Sequence, residues 1–100
     1  MDSKELINHF AEKYEVSNAT MALLFDVNIS SINNWRRGVK QMSETNKEHF
    51  EMVLKSLDSF VKRSGYSEER AISFVLALKG TPDWNGWDKL STISEGLIKN

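Results

Sequence analysis

"NATMALLFDVNISSINNWRRG", residues 18–38, decides how this chain is to be read. In its second half, Ile32 and Trp35, three residues apart, anchor one face of a short helix, and Ser30, Asn33, Asn34 and Arg37 occupy the other. Solvated helix faces are ordinarily Glu, Lys, Gln or Ala, because Asn and Ser each cost roughly a few tenths of a kcal/mol against Ala. A face built from weak helix formers asks for a reason beyond helix stability. Asn28 is placed to cap this helix, and Gly38 stands just past its end, where a left-handed residue stops a helix. The first half reads as a helix over Asn18 to Phe25, capped by Ser17 and burying Met21, Ala22 and Phe25.

Outward from this stretch the apolar period is helical nearly everywhere, and no run alternates like a strand. A first helix is expected from Ser3 to Tyr14, with Asp2 and Glu5 in capping-box spacing and Leu6, Ile7, Phe10, Ala11 and Tyr14 inward. A fourth runs from about Glu44 to Arg63 and presents Phe50, Val53, Leu54, Leu57, Phe60 and Val61, with a bend or break inside it left open. Ser67, Glu68 and Glu69 open a fifth, which carries Ile72, Val75, Leu76 and Leu78 inward and closes at Gly80 and Pro82. A last weak helix is expected from about Asp88 to Ile98. The fold class expected is all-α, a compact bundle of five to six helices. At 100 residues there is material for one core but not for two full ones.

Composition narrows the function. The chain has no Cys, which removes disulfides, thiolate chemistry and Cys-based zinc sites. "MDSKELINHF" has no basic region followed by a long apolar run, and no window approaches the roughly 20 apolar residues of a membrane span. An intracellular, cytoplasmic protein without a membrane partner is the expectation. Net charge is −1, which by itself speaks against a polyanionic partner. Its distribution reverses that impression: residues 27–43 hold Arg36, Arg37 and Lys40 and no acid, while the rest of the chain holds ten basic and fourteen acidic residues. One face can be positive while the remainder repels polyanions.

Residues 18–38 resemble the helix-turn-helix of the Cro/repressor (XRE-like) DNA-binding family. Ala22 stands where that motif wants a small residue in its first helix, Met21 and Phe25 precede the turn, Val27 follows it, and Ile32 and Trp35 match the two inward anchors of the recognition helix. "WRRG" matches the family's closing aromatic, two polar residues and Gly. The turn position, usually Gly because φ is positive there, is Asp26 in this chain, one of the few other residues that enter the left-handed region readily. Strictly the likeness covers about a fifth of the chain, and about two-thirds when the flanking helices are included.

The resemblance implies a second helix lying in the major groove and a first helix crossing the backbone. On that basis Asn28, Ile29, Ser30, Asn33, Asn34 and Arg37 are the candidate base-reading residues, Asn for adenine N6 and N7 and Ile29 for a thymine methyl. Asn18, Thr20, Arg36 and Lys40 are the candidate phosphate contacts. Ala22, Phe25, Ile32 and Trp35 are the structural anchors. The plain alternative is that the polar residues merely face solvent, since such shapes also occur in proteins that bind no DNA.

Other residues carry less. His9 and His49 have no partner at ligand spacing, so no metal site is expected, and Glu68 and Glu69 are explained by the first turn of a helix. No phosphate-cradling Gly loop or nucleophile–base set is visible, so neither enzyme activity nor a cofactor is expected. Trp84 and Trp87, in "PDWNGWD", suit a partner surface and a lid folded back over the fourth and fifth helices equally well.

Two functions are carried forward. One is a small sequence-specific transcriptional regulator of the phage, plasmid or mobile-element type, its DNA-binding bundle in 1–64 and a dimerisation or partner-binding extension in 65–100. It would act as a homodimer on double-stranded DNA with an inverted-repeat operator. The apolar supply for that interface is Phe60, Val61, Phe74, Leu78, Trp84, Trp87, Leu90, Ile93 and Leu97, which equally can complete a larger monomeric core. The other function is a helical adaptor, an antirepressor or inhibitor, acting on a protein partner.

Overall fold

Short polar residues start the helices. In a computed structural model that describes residues 2–84, 86, 87 and 90, Asp2 accepts the Glu5 N–H at 2.8 Å and opens α1 (Ser3–Tyr14). Ser17 accepts the Thr20 N–H at 3.2 Å and opens α2 (Asn18–Phe25), and Asn28 accepts the Ser30 N–H at 3.1 Å and opens α3 (Ile29–Arg37). Ser43 accepts the Asn46 N–H at 3.1 Å ahead of α4 (Glu44–Ser64), and Ser67 accepts the Arg70 N–H at 3.2 Å ahead of α5 (Glu68–Lys79). Each oxygen satisfies a donor that the first helical turn leaves unpaired. The described residues are all-α, with five helices and no strand.

The first three helices stop by one device. Glu15, Asp26 and Gly38 sit at φ 51°, 57° and 75°, in the left-handed region. The N–H of the valine that follows each reaches back five residues, Val16 to the Ala11 carbonyl, Val27 to Ala22 and Val39 to Asn34, at 3.2, 3.2 and 3.0 Å. This is the bond that closes a Schellman-type end, with an apolar residue just beyond the left-handed one. Asp26 takes the conformation its place in the turn demands. Gly38 needs its missing side chain, because a Cβ there would come within 3.3 Å of the Lys4 side chain at a φ that L residues rarely adopt.

The packing divides at residues 52/53, inside α4. In the first unit, Leu6, Ile7, Phe10, Ala11 and Tyr14 of α1 are buried with Met21, Leu24 and Phe25 of α2, Ile32 and Trp35 of α3, Met42, and Phe50 of α4. Phe25 and Phe50 stack with centroids 3.6 Å apart, and Phe10 meets Phe25 edge-on at 5.0 Å and Phe50 at 5.7 Å. Ser3 is buried because its hydroxyl accepts the Met42 N–H at 2.8 Å, which ties the approach to α4 down onto the start of α1. In the second unit, Val53, Leu57 and Phe60 of α4 and Ala71, Ile72 and Val75 of α5 are buried, as are Trp87 and Leu90. Phe60 stacks on Phe74 at 5.3 Å and meets Tyr66 at 5.5 Å.

Two expectations need correction. Ala22 is only half-buried, whereas Leu24 is fully buried and Leu23 is 64% exposed. Met21 to Phe25 are five consecutive apolar residues, so the period cannot choose among faces of α2, and only its neighbours do. Leu54, Val61, Leu76 and Leu78 are half-buried rather than fully inward. Gly80 closes α5 as expected, at φ −78°, while the Thr81 hydroxyl donates to the Leu78 carbonyl at 2.7 Å. The fourth helix runs unbroken for 21 residues. The last helix, expected over 88–98, lies outside the described residues apart from Leu90, as do Ile93 and Leu97.

Candidate nucleic-acid interface

Helix α3 packs against both α1 and α2 and is held from beneath by Ile32 and Trp35, both buried. At about 100° per residue, Ile29, Asn33, Arg37 and Ser30 fall within an arc of roughly 100° on the opposite side. All four are exposed, Ile29 at 46%. Asn28 and Lys40 are exposed at the two ends of the helix, and Asn34 is half-buried at the margin of the arc. The turn of 26–28 brings α2 beside this face.

The candidate residues are not independent of one another. Asn28 Oδ1 takes the Ser30 hydroxyl at 3.0 Å as well as the Ser30 N–H, so two candidate base-reading side chains form one small cluster at the start of α3. Arg36 is half-buried between helices. Its Nε donates to Asn8 Oδ1 at 2.8 Å, and its Nη1 donates to Asn18 Oδ1 at 2.6 Å. Asn8 answers by donating its Nδ2 to the Arg36 carbonyl at 3.2 Å. The Asn18 Nδ2 in turn donates to Asn33 Oδ1. Three helices thus meet in one polar chain, Asn8 from α1, Asn18 from α2, and Arg36 and Asn33 from α3.

This arrangement sorts the candidate phosphate contacts and the cation beside them, Arg37. Arg37 and Lys40 stand exposed, whereas Arg36 spends two of its five N–H donors on the scaffold and keeps three. Thr20 is half-buried, its N–H capped by Ser17 and its Oγ1 accepting from the Ser17 hydroxyl at 3.1 Å. The α2 start therefore offers an anion the N–H groups of Asn18 and Ala19 rather than that of Thr20. Sequence reading missed Asn8, although an Asn in the middle of a helix is itself a signal, being a weak helix former that needs some other reason to be there.

In the second unit, Trp87 is buried and Trp84 half-buried, the two rings meeting edge-on at 5.4 Å. The Lys79 ammonium lies 6.0 Å from one ring centroid and 5.8 Å from the other. Of the apolar residues counted toward an interface, Phe60, Trp87 and Leu90 are buried within the chain, and Val61, Phe74, Leu78 and Trp84 are half-buried.

Among the described residues no cluster of three His, Cys, Asp or Glu side chains can hold a metal ion, and no helix is long and apolar enough to cross a membrane. The chain matches no protein-family model, no curated protein and no solved structure.

Proposed function

We propose that this chain is a sequence-reading DNA-binding protein of the helix-turn-helix kind, a small cytoplasmic transcriptional regulator that lays α3 in the major groove. The outward arc of α3 carries the reading: Ile29, Ser30, Asn33 and Arg37 stand together on a helix anchored by Ile32 and Trp35, with Arg37 and Lys40 exposed and no acid within residues 27–43. Short polar side chains on a rigid helix suit base edges, and the exposed cations suit phosphates. One copy brings few cations and binds weakly at physiological salt, so two copies on an inverted repeat, with half-sites about 34 Å apart, are the working form.

Selection from random duplex DNA with the full chain, followed by affinity measurements across salt concentrations, tests this. An enriched inverted repeat is expected, and Lys40→Ala should weaken all duplexes alike and lower the salt slope by about 1. Enrichment of no sequence overturns the reading. Sedimentation on the selected duplex checks the pairing, and a single copy per operator excludes the dimer.

A second reading, the adaptor acting on a protein, is favoured by one observation. Leu23 in α2 and Val39 just past the end of α3 are exposed at 64% and 60%, apolar surface that a protein partner would cover.

A further inference from the structure

The polar chain across α1, α2 and α3 has a direction. A guanidinium has donors only, so whatever faces Arg36 must turn an oxygen toward it. Asn18 does so with Oδ1, and its amide nitrogen is thereby aimed at Asn33. Asn33 must then answer with its own oxygen, which leaves its NH2 group outward. Asn8 locks the origin of the chain, because it accepts from Arg36 Nε and donates to the Arg36 carbonyl, the one pairing its amide allows. No amide in the series can be flipped without setting donor against donor.

We infer that Arg36, acting through Asn18, fixes the polarity of Asn33 so that this side chain presents its NH2 and reads a hydrogen-bond acceptor on the base edge, a purine N7, guanine O6 or thymine O4. The inference rests on the DNA-binding reading and names the base chemistry of that same face. The Asn33 oxygen is turned to Asn18 and gives it one of its two acceptor sites, so the NH2 is the group that the polar chain leaves open for the base. Cytosine offers only its N4 donor, which meets the Asn33 NH2 with like polarity. Arg36 and Asn18 are positioning residues in this scheme, and Asn33 is the group that touches the base.

The polarity can be reversed by one atom pair. In Asn18→Asp the carboxylate accepts from Arg36 and from Asn33 alike, so Asn33 must turn its NH2 inward and its oxygen outward. The substitution also puts an acid in the first turn of α2, where it favours the helix. Site selection with the wild-type chain and with Asn33→Ala locates the base pair whose preference depends on Asn33. At that pair Asn18→Asp is expected to prefer a different base pair by about tenfold, the scale of a good base contact. Retention of the wild-type pair by Asn18→Asp overturns the inference, as does a wild-type chain with no Asn33-dependent position.

A readout without DNA separates the relay from the function. In the free protein, nuclear magnetic resonance should show the Asn18 side-chain NH2 exchanging with water more slowly than that of Asn33, and Arg36→Met should erase the difference. Slower exchange at Asn33 than at Asn18 means the polarity is the reverse and the inference fails, whatever the chain binds. Arg36→Met is checked for its fold by circular dichroism. If it does not fold, the wild-type comparison of the two amides and the Asn18→Asp selection still decide the question.

Discussion

The two packing units are made of the same element, helices started by short polar caps, yet they are held together differently. In the first, a ring cluster of Phe10, Phe25 and Phe50 is accompanied by a polar chain that ties three helices through three amides and a guanidinium. In the second, Phe60, Tyr66 and Phe74 form the aromatic cluster, and the charged groups near rings are Arg70, 4.1 Å from the Tyr66 centroid, and Lys79 beside the two tryptophans. Apolar contacts tolerate small slides of one helix on another. Hydrogen-bonded amides do not, because strength falls steeply with angle and distance. The unit that carries the candidate reading helix is thus the one whose helix positions are fixed by directional bonds, and the accuracy of base contacts depends on such support.

The largest effects should come from the ring clusters. Phe10→Ala and Phe60→Ala each remove a ring buried to within 1%, and each should cost about 3 to 5 kcal/mol in urea unfolding. Phe10 should lose the more, since among the described residues it meets three rings, Tyr14, Phe25 and Phe50, where Phe60 meets two, Tyr66 and Phe74. The reverse order would break the contrast between the units at its apolar level.

The directional bonds come next. Asn8→Ala strands the half-buried Arg36 Nε and frees its carbonyl, and should cost about 1 to 3 kcal/mol. Arg70→Ala removes an exposed cation from the face of Tyr66 and should cost about 0.5 to 1 kcal/mol. Thermal unfolding of the two variants sharpens the comparison, and equal losses would mean that the polar chain adds nothing beyond an ordinary surface contact. The smallest difference is expected at the caps. Ser17→Ala and Ser67→Ala each unpair one N–H at an exposed helix start, in one unit and the other, and each should cost about 1 kcal/mol with little to separate them. A markedly larger loss at Ser17, whose hydroxyl also donates to Thr20, would extend the polar support of the first unit to its surface.

What was legible in the chain was local. The bounds of α1 and α2, the caps Asp2, Ser17, Asn28 and Ser67, and the left-handed stops at Asp26 and Gly38 all follow from bonds that span two to five residues. Such rings close wherever the right residue stands at the right offset, so the sequence is enough to determine them. The inward stripe of α3 was legible for a related reason, since Ile32 and Trp35 stand three apart among polar residues, with Ile29 at the exposed first position of the helix. In α2 that contrast is missing, and the choice of Leu24 over Ala22 and Leu23 belongs to the helices packed around it. The polar chain belongs there too: its bonds join residues 28, 18 and 15 positions apart, on three helices. No spacing in the sequence announces them, because they exist only where α1, α2 and α3 cross closely enough for a guanidinium to reach two amides at once. The sequence by itself determined which residues face outward on α3; only the tertiary structure decided which way their polar groups point.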